Sequence, residues 1–209
     1  LSAPAILGNG GVIYDFKEEK VLWDLTLPKE ARDYMLELKE KFPDVGIELT
    51  IGRQVYNIHA NEFTDRRILH EHIQYAYDDI GAIPDGWYKV LFAAEHEIQL
   101  EMLEYIRQNH YDHVYFIPTS GFFLEMLPIG VNKGNGLKKL AEILEIDMDN
   151  TAAIGDYYND VDMFVAAGLS AATCEAPDDV KQHADLEMCS SRDGAVGMFI
   201  DHILNTCIH

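Results

Sequence analysis

Hydrophobic and polar positions fall into short runs in the first part of the chain. Apolar runs bounded by glycine, proline or polar residues predict strands over 4–7, 12–15, 89–94, 114–120 and 122–128. The stretch 46–60 predicts two strands joined by a turn at Gly52 and Arg53. Helices are favoured over 62–77 and 95–109. We therefore expect this part to form an α+β layer with antiparallel strands.

After Pro128 the pattern changes to units in which a helix follows a strand. Leu137, Leu140, Ala141 and Leu144 recur at the spacing of one helix face. Further elements are predicted as strands over 151–155, 169–173 and 186–189, and as helices over 158–167, from Pro177 and from Asp193. Alternating strands and helices indicate parallel strands with crossover helices. The expected fold class is α/β, with a Rossmann-like layer at the C-terminus and a separate α+β module before it.

Composition narrows the function. The 209 residues are 48% hydrophobic, enough for a folded globular protein. Acidic residues number 36 and basic residues 16, and the formal net charge of −20 argues against nucleic acid or an anionic membrane surface as a partner. Every apolar run is shorter than the ~18 residues of a membrane span. We expect a protein without a membrane-spanning segment.

Two other site classes have weak support in the sequence. The cysteines are odd in number and widely spaced, which favours neither a disulfide framework nor a zinc site and suits the reducing cytoplasm; they are Cys174, Cys189 and Cys207. Histidines that a zinc site would need are scattered through polar segments, at His70, His72, His110 and His113. The turn "GNGG" at 8–11 does not complete the dinucleotide-binding pattern G-x-G-x-x-G.

The strongest chemical signal is "AAIGDYYND", residues 152–160, where an apolar strand ends at Gly155 and two aspartates follow. Ligands of open parallel sheets bind beyond the carboxyl ends of the strands, where Asp156 is expected to emerge. A carboxylate there favours a hard cation, which makes Asp156 a candidate Mg²⁺ ligand. Asp160 is either a second site residue or only an acid in the first turn of the next helix. Both interpretations stay open.

The stretch "NKGNGL", residues 132–137, supplies the opposite charge. Lys133 stands at a glycine-rich helix start, where a cation opposes the helix dipole unless an anion lies nearby. A phosphate is the natural anion, and a solvated loop lysine is the alternative. The residue alone does not decide between them.

Taken together, K-G-N-G-L-x-x-L at 133–140 and I-G-D-Y-Y-N-D at 154–160 resemble the third and fourth motifs of the haloacid dehalogenase-like hydrolase superfamily. The closest likeness is to Cof-type phosphatases with a subclass IIB cap, and it extends through 167–196. The segment 3–15 looks like the point where those proteins pass from core to cap. The resemblance implies core segments over 1–14 and 128–209, with an inserted α+β cap over 15–127.

The resemblance also implies roles for five residues. Lys133 would stabilise the phosphoryl group, while Asp156 and Asp160 would serve the Mg²⁺ site, Asp160 through water or hydrogen bonds. Asn159 and Asn9 would bind on the phosphate side. A metal and a lysine both neutralise charge on a transferring phosphoryl group.

The first two motifs of that superfamily are not found in the sequence. A D-x-D-G-T aspartate nucleophile and a following Ser or Thr should precede residue 4, and only three residues stand there. The imitation "DMDNT" at 147–151 comes before a strand, so we assign Asp147 and Asp149 to a helix-to-strand loop with Asx turns. We expect either a fragment whose core is completed by an N-terminal segment, on another chain or as a cleaved piece, or a natural short form that binds phosphate compounds without turnover.

The function implied by the resemblance is Mg²⁺-dependent hydrolysis of small phosphomonoesters, sugar phosphates above all, through an aspartyl-phosphate, with the cap closing to exclude water. A mutase-like phosphotransferase and a non-catalytic phosphometabolite sensor are the alternatives. Glu175 departs from the expected pattern, because this subfamily often has asparagine there. It either alters the charge of the site or is only an acid ahead of Pro177.

Overall fold

The computed structural model describes residues 3–76 and 79–206. The chain divides into two compact units. The core unit comprises residues 1–24 and 131–209, and the cap unit comprises residues 25–130. The predicted crossing points lay at 14/15 and 127/128. The observed division lies later at both places. At the first place the reason is that the strand after residue 15 pairs back onto the core unit.

The described elements are numbered in chain order. The strands are β1 Ala5–Leu7, β2 Val12–Asp15, β3 Lys20–Asp24, β4 Gly46–Ile51, β5 Gln54–His59, β6 Tyr75–Ala76, β7 Lys89–Ala93, β8 Val114–Pro118, β9 Phe123–Pro128, β10 Ala152–Gly155, β11 Leu169–Thr173 and β12 Leu186–Met188. The α-helices are α1 Ala31–Lys41, α2 Glu62–Glu71, α3 His96–Gln108, α4 Lys133–Leu144, α5 Val161–Ala166, α6 Asp178–Lys181 and α7 Ala195–Thr206. Short 3₁₀ turns cover Gly8–Gly10, Met148–Asn150, Tyr158–Asp160 and Ser191–Asp193.

The core unit contains a parallel sheet in the order β10-β11-β12. Phe164 of α5 and Val180 of α6 pack with Ala172 on one face of β11. Phe199 of α7 packs with Ala171 on the other face. Adjacent residues of a strand point to opposite faces, so both faces of this sheet are apolar and covered by helices. The predicted α/β fold with parallel strands is confirmed.

An antiparallel sheet in the order β1-β2-β3 forms the rest of the core unit's strand content. Helix α4 contacts β1, β2 and the turn between them. That contact brings β1 and the turn after it beside α4, which begins more than 100 positions later.

The cap unit is built on a six-stranded sheet in the order β6-β5-β4-β7-β9-β8, antiparallel except for the short β5-β6 pair. Helices α1 and α3 contribute Met35 and Met102 to the main apolar core, where they pack with Ile47 and Leu49 of β4. Glu48 lies between those two residues and points to the opposite face, yet it is 1% exposed. The antiparallel α+β layer expected for this part is confirmed.

Two parts of the sequence prediction need correction. Helix α2 ends at Glu71 rather than at residue 77, because His72 adopts a left-handed conformation with φ 53° and the chain then forms β6 against β5. Residues 77 and 78 lie outside the described residues. Segment 16–45 received no prediction and contains β3 and α1. The apolar spacing Ala31, Met35 and Leu38 carried a helix signal.

Within residues 3–76 and 79–206, the structure has no helix that is both long enough and apolar enough to span a membrane. A cytoplasmic location stays a prediction.

Candidate active site

The turn after β10 forms the centre of the site. Gly155 ends the strand, and a Cβ built on it would lie 2.5 Å from Cγ of Asp160. Only glycine therefore lets the chain fold back so closely onto the aspartate four residues later. Parallel pairing of Gly155 with Ala172 of β11 places this turn at the carboxyl edge of the sheet, as the sequence predicts.

Asp160 is the hub of this turn and is 2% exposed. Its Oδ2 accepts hydrogen bonds from the backbone N–H groups of Asp156, at 3.0 Å, and of Tyr157, at 3.1 Å. Its Oδ1 accepts from Nζ of Lys133 at 2.5 Å. The structure thus brings together Lys133, Asp156 and Asp160. The bond from Tyr157 is the capping contact expected of an acid in a first helical turn, whereas the ion pair with Lys133 is the contact expected of a site residue, so both interpretations of Asp160 remain open.

Lys133 is the first residue of α4 and its side chain is 31% exposed. Asn132 caps the helix, since its Oδ1 accepts from the backbone N–H of Asn135 at 2.7 Å. A Cβ on Gly134 would lie 2.2 Å from the backbone oxygen of Asp162 at the start of α5. The glycine after Lys133 therefore allows α4 and α5 to begin in direct contact, which sets the lysine beside Asp160.

The two predicted asparagines also meet. Asn159 lies in the 3₁₀ turn directly before Asp160, and its Nδ2 donates to Oδ1 of Asn9 at 3.2 Å. Asn9 belongs to the turn between β1 and β2. All five predicted site residues lie in the core unit, and each is linked to another by a hydrogen bond or ion pair.

The carboxylate of Asp156 is the free acid of the site. The residue is exposed, and its side chain makes no hydrogen bond or ion pair with any of residues 3–76 and 79–206. Mg²⁺ is commonly held by one or two carboxylates together with waters and substrate phosphate, so Asp156 fits as one ligand. Asp160 fits less well as a direct ligand, because both of its oxygens are already engaged. The described residues contain no group of three or more His, Cys, Asp or Glu side chains placed to hold a metal.

Glu175 follows β11, on the same carboxyl edge. Its carboxylate accepts from the hydroxyl of Ser190 and from the backbone N–H of Ser191, which follow β12. The Ser190 hydrogen bond lowers the pKa of Glu175 to about 2. Glu175 therefore fastens two neighbouring loops, a contact that neither interpretation of this residue included. The two adjacent serines after β12, Ser190 and Ser191, are the sequence feature that could have indicated this contact.

The "DMDNT" segment lies where the sequence places it, in the loop from α4 to β10. Asp147 caps the 3₁₀ turn, and its Oδ1 accepts from the backbone N–H of Asp149 at 3.1 Å. This Asx turn precedes β10, whereas Asp156 follows it. The four residues of β10 rise about 13 Å in total. The assignment of Asp147 and Asp149 to a structural loop at the opposite edge is confirmed.

Comparison with known proteins identifies the family. A family model described as haloacid dehalogenase-like hydrolase matches residues 1–200. The chain belongs to this family, and the resemblance carried by the motifs at 133–140 and 154–160 is confirmed.

Individual relatives agree with the family match. Phosphatase YwpJ of Bacillus subtilis (strain 168) is 26% identical over 224 residues, covering 95% of this chain and 79% of that protein. The 5-amino-6-(5-phospho-D-ribitylamino)uracil phosphatase YwtE of the same strain is 28% identical over 229 residues, covering 98% and 80%. The solved structure of the HAD subclass IIB sugar phosphatase BT4131 superposes with a TM-score of 0.80 at 20% identity, covering 96% of this chain and 75% of that one. That last likeness establishes a shared fold.

Proposed function

We propose that this chain supplies the lysine and the metal-binding aspartate of a phosphatase site for small phosphomonoesters, sugar phosphates above all. The observation that carries the proposal is the Lys133–Asp160 ion pair, whose acid also holds the backbone of Asp156. A cation and a free carboxylate are thereby fixed on adjoining turns at one edge of a parallel sheet. The relatives named as phosphatases support the same chemistry.

Each side chain has a part that follows from its contacts. Lys133 is held by Asp160 but remains partly exposed, so its ammonium group is oriented and still able to approach phosphoryl oxygens. Asp156 would hold Mg²⁺, which when bound supplies further positive charge to those oxygens. Asn159 would donate a hydrogen bond to the phosphoryl group. Asp160 would hold the turn after β10 and the Lys133 ammonium group in fixed positions relative to each other, because its buried carboxylate accepts three hydrogen bonds.

The proposal takes the attacking aspartate, which would form an aspartyl-phosphate that water then hydrolyses, from outside the described residues. Asp147 and Asp149 lie at the wrong edge for this role. Among the described strands, β10 pairs with β11 alone, so its other edge has backbone groups available to a further strand. A strand added there in parallel would end beside Asp156. We propose that a further segment occupies this edge, whether in the same polypeptide or as a separate piece.

Asp156→Ala in the full gene product is the first test. We expect Mg²⁺-dependent phosphate release from an aryl phosphate to fall by about 10²–10³-fold or more. Calorimetric Mg²⁺ binding should weaken, while the melting temperature should not fall, because the Asp156 side chain has no partner among the described residues. Asp147→Ala is the matched control and should leave turnover unchanged.

Unchanged turnover in Asp156→Ala would refute the metal assignment. Tight phosphate binding by the wild type with no phosphate release would favour the non-catalytic sensor. Isomerised product formed with a bisphosphate sugar primer would favour the phosphotransferase.

A further inference from the structure

The turn between β1 and β2 has an unusual backbone. Gly8, Asn9 and Gly10 are three consecutive residues with positive φ, at 56°, 53° and 97°. Glycine adopts this conformation freely, whereas a side chain at Asn9 crowds its own backbone. Asparagine tolerates this region better than most residues, yet glycine would be less strained at the same position. A strained non-glycine residue between two glycines indicates that its side chain has a function.

The turn is pressed against the start of α4. A Cβ on Gly10 would lie 2.0 Å from the backbone oxygen of Asn132, and one on Gly136 would lie 2.7 Å from Cα of Gly10. Neither position has room for any side chain. Asn9 is consequently held at a fixed place beside the helix turn that begins at Lys133.

The Asn9 side chain reaches the other half of the site. Its Oδ1 accepts from Nδ2 of Asn159, a residue 150 positions later in the sequence. A primary amide has one end that only donates and one end that only accepts. If the Asn159 amide were reversed, its Oδ1 would face Oδ1 of Asn9, and two acceptors repel. Reversal of the Asn159 amide alone is therefore disfavoured, and the opposite pairing requires both amides to turn together.

We infer that Asn9 is a positioning residue, which holds the Asn159 amide so that an N–H group remains directed at an anionic phosphoryl group. This inference rests on the proposed function. It replaces direct phosphate binding by Asn9 with an action through Asn159. An anion accepts hydrogen bonds and does not donate them, so an amide free to turn would present its oxygen part of the time. Fixing the amide in advance removes that unproductive orientation.

Asn9→Gly separates this role from loop stability, since it removes the Oδ1 acceptor and relieves the strain at φ 53°. We expect an unchanged or higher melting temperature together with roughly three- to tenfold weaker binding of inorganic phosphate. Gly8→Ala is the matched control. It adds strain at φ 56° in the same turn, and its Cβ meets nothing within 4 Å. Gly8→Ala should lower the melting temperature and leave phosphate affinity unchanged.

The orientation itself is measured by NMR of the side-chain amides. The Asn159 signals are assigned by their loss in Asn159→Ala. In the wild type we expect the proton that faces Asn9 to be shifted from its free-amide value and to exchange slowly with solvent. In Asn9→Gly both protons should move toward free-amide shifts and exchange faster. Asn9→Asp retains only acceptor oxygens facing Asn159 and should keep the shift and the slow exchange of the wild type.

A double variant tests whether Asn9 acts through Asn159. Asn9→Gly should weaken phosphate binding in the wild-type background and have no further effect when Asn159 is already alanine. Asn159 amide signals that are identical in wild type and Asn9→Gly would overturn the inference. A wild type that binds no phosphate but shows the amide change would overturn the proposed function and leave the positioning contact established. The two failures are therefore distinguishable.

Discussion

The two units each contain a cluster of ion pairs with a buried carboxylate, and the clusters differ in how completely they are paired. In the cap unit, Glu48 is 1% exposed and accepts from Arg67 and from the hydroxyl of Tyr75. Lys89 and Glu125 form a second pair there at 2.5 Å. In the core unit, buried Asp160 pairs with Lys133, and the neighbouring Asp156 carboxylate has no described partner.

This difference separates a structural cluster from a candidate catalytic one. Burial raises the pKa of Glu48, and the hydrogen bond from Tyr75 and the charge of Arg67 oppose that rise. The partners in the cap cluster therefore offset the free-energy cost of burying the Glu48 charge. The core cluster leaves one anion and one partly exposed cation available. Charges that a fold holds in place without fully pairing are the ones able to act on a ligand.

Among the variants that compare the two clusters, Lys133→Met should show the largest effect, and the effect is on activity. We expect kcat/KM for an aryl phosphate to fall by about 10²–10³-fold, because the variant removes a fixed positive charge from the phosphoryl group. Asp160 loses its cation and keeps its two backbone donors, so the fold should survive with some loss of stability. Lys139→Met is the control on the same helix, since the one ion pair of Lys139 among the described residues is with exposed Glu142. Equal activity in both variants would remove the distinction between the clusters.

Arg67→Met should have the converse effect, a loss of stability. Removing one partner of a buried pair typically costs about 3–5 kcal/mol, because Glu48 would lose its hydrogen-bonded cation and keep only the Tyr75 hydroxyl and the more distant charge of Lys89 among the described residues. Urea unfolding of this variant should be compared with that of Arg66→Met. Arg66 is the next residue, and its pair with Glu62 is exposed on both sides, so about 0.5 kcal/mol is expected there. Similar losses of unfolding free energy in the two variants would mean that the buried pair contributes no more to stability than the exposed pair.

Glu175→Gln should give the smallest effect, one that depends on pH. Glu175 is exposed, yet Ser190 holds its pKa at about 2, below the ordinary value of 4.5. A lowered pKa in the folded state contributes stability above pH 4.5, and that contribution is lost as pH falls toward 2. Wild type should therefore lose unfolding free energy more steeply across this interval than Glu175→Gln. Ser190→Ala should reduce the slope in the same direction, and parallel profiles for all three proteins would contradict the assignment.

Much of the local structure was predictable, because it depends on periodicity and on turn residues. The strand pair split near Gly52, the apolar stripe of α4 and the position of Asp156 after β10 all agree with the structure. Segment 16–45 contains a helix pattern in the spacing of Ala31, Met35 and Leu38. The end of α2 was not predictable from polarity, because pairing of β6 with β5 competes with continuing the helix.

The sequence alone determined the family and the α/β class and supplied the residues of the candidate site, since motifs and periodic patterns are local properties of the chain. The tertiary structure decided how those residues are used. It engaged both oxygens of Asp160, joined Asn9 to Asn159 and tied Glu175 to the serines after β12. Some of these contacts join residues that are far apart in the sequence, and others use acceptor atoms that would otherwise be free to bind a ligand. Both effects depend on which residues become neighbours when the chain folds.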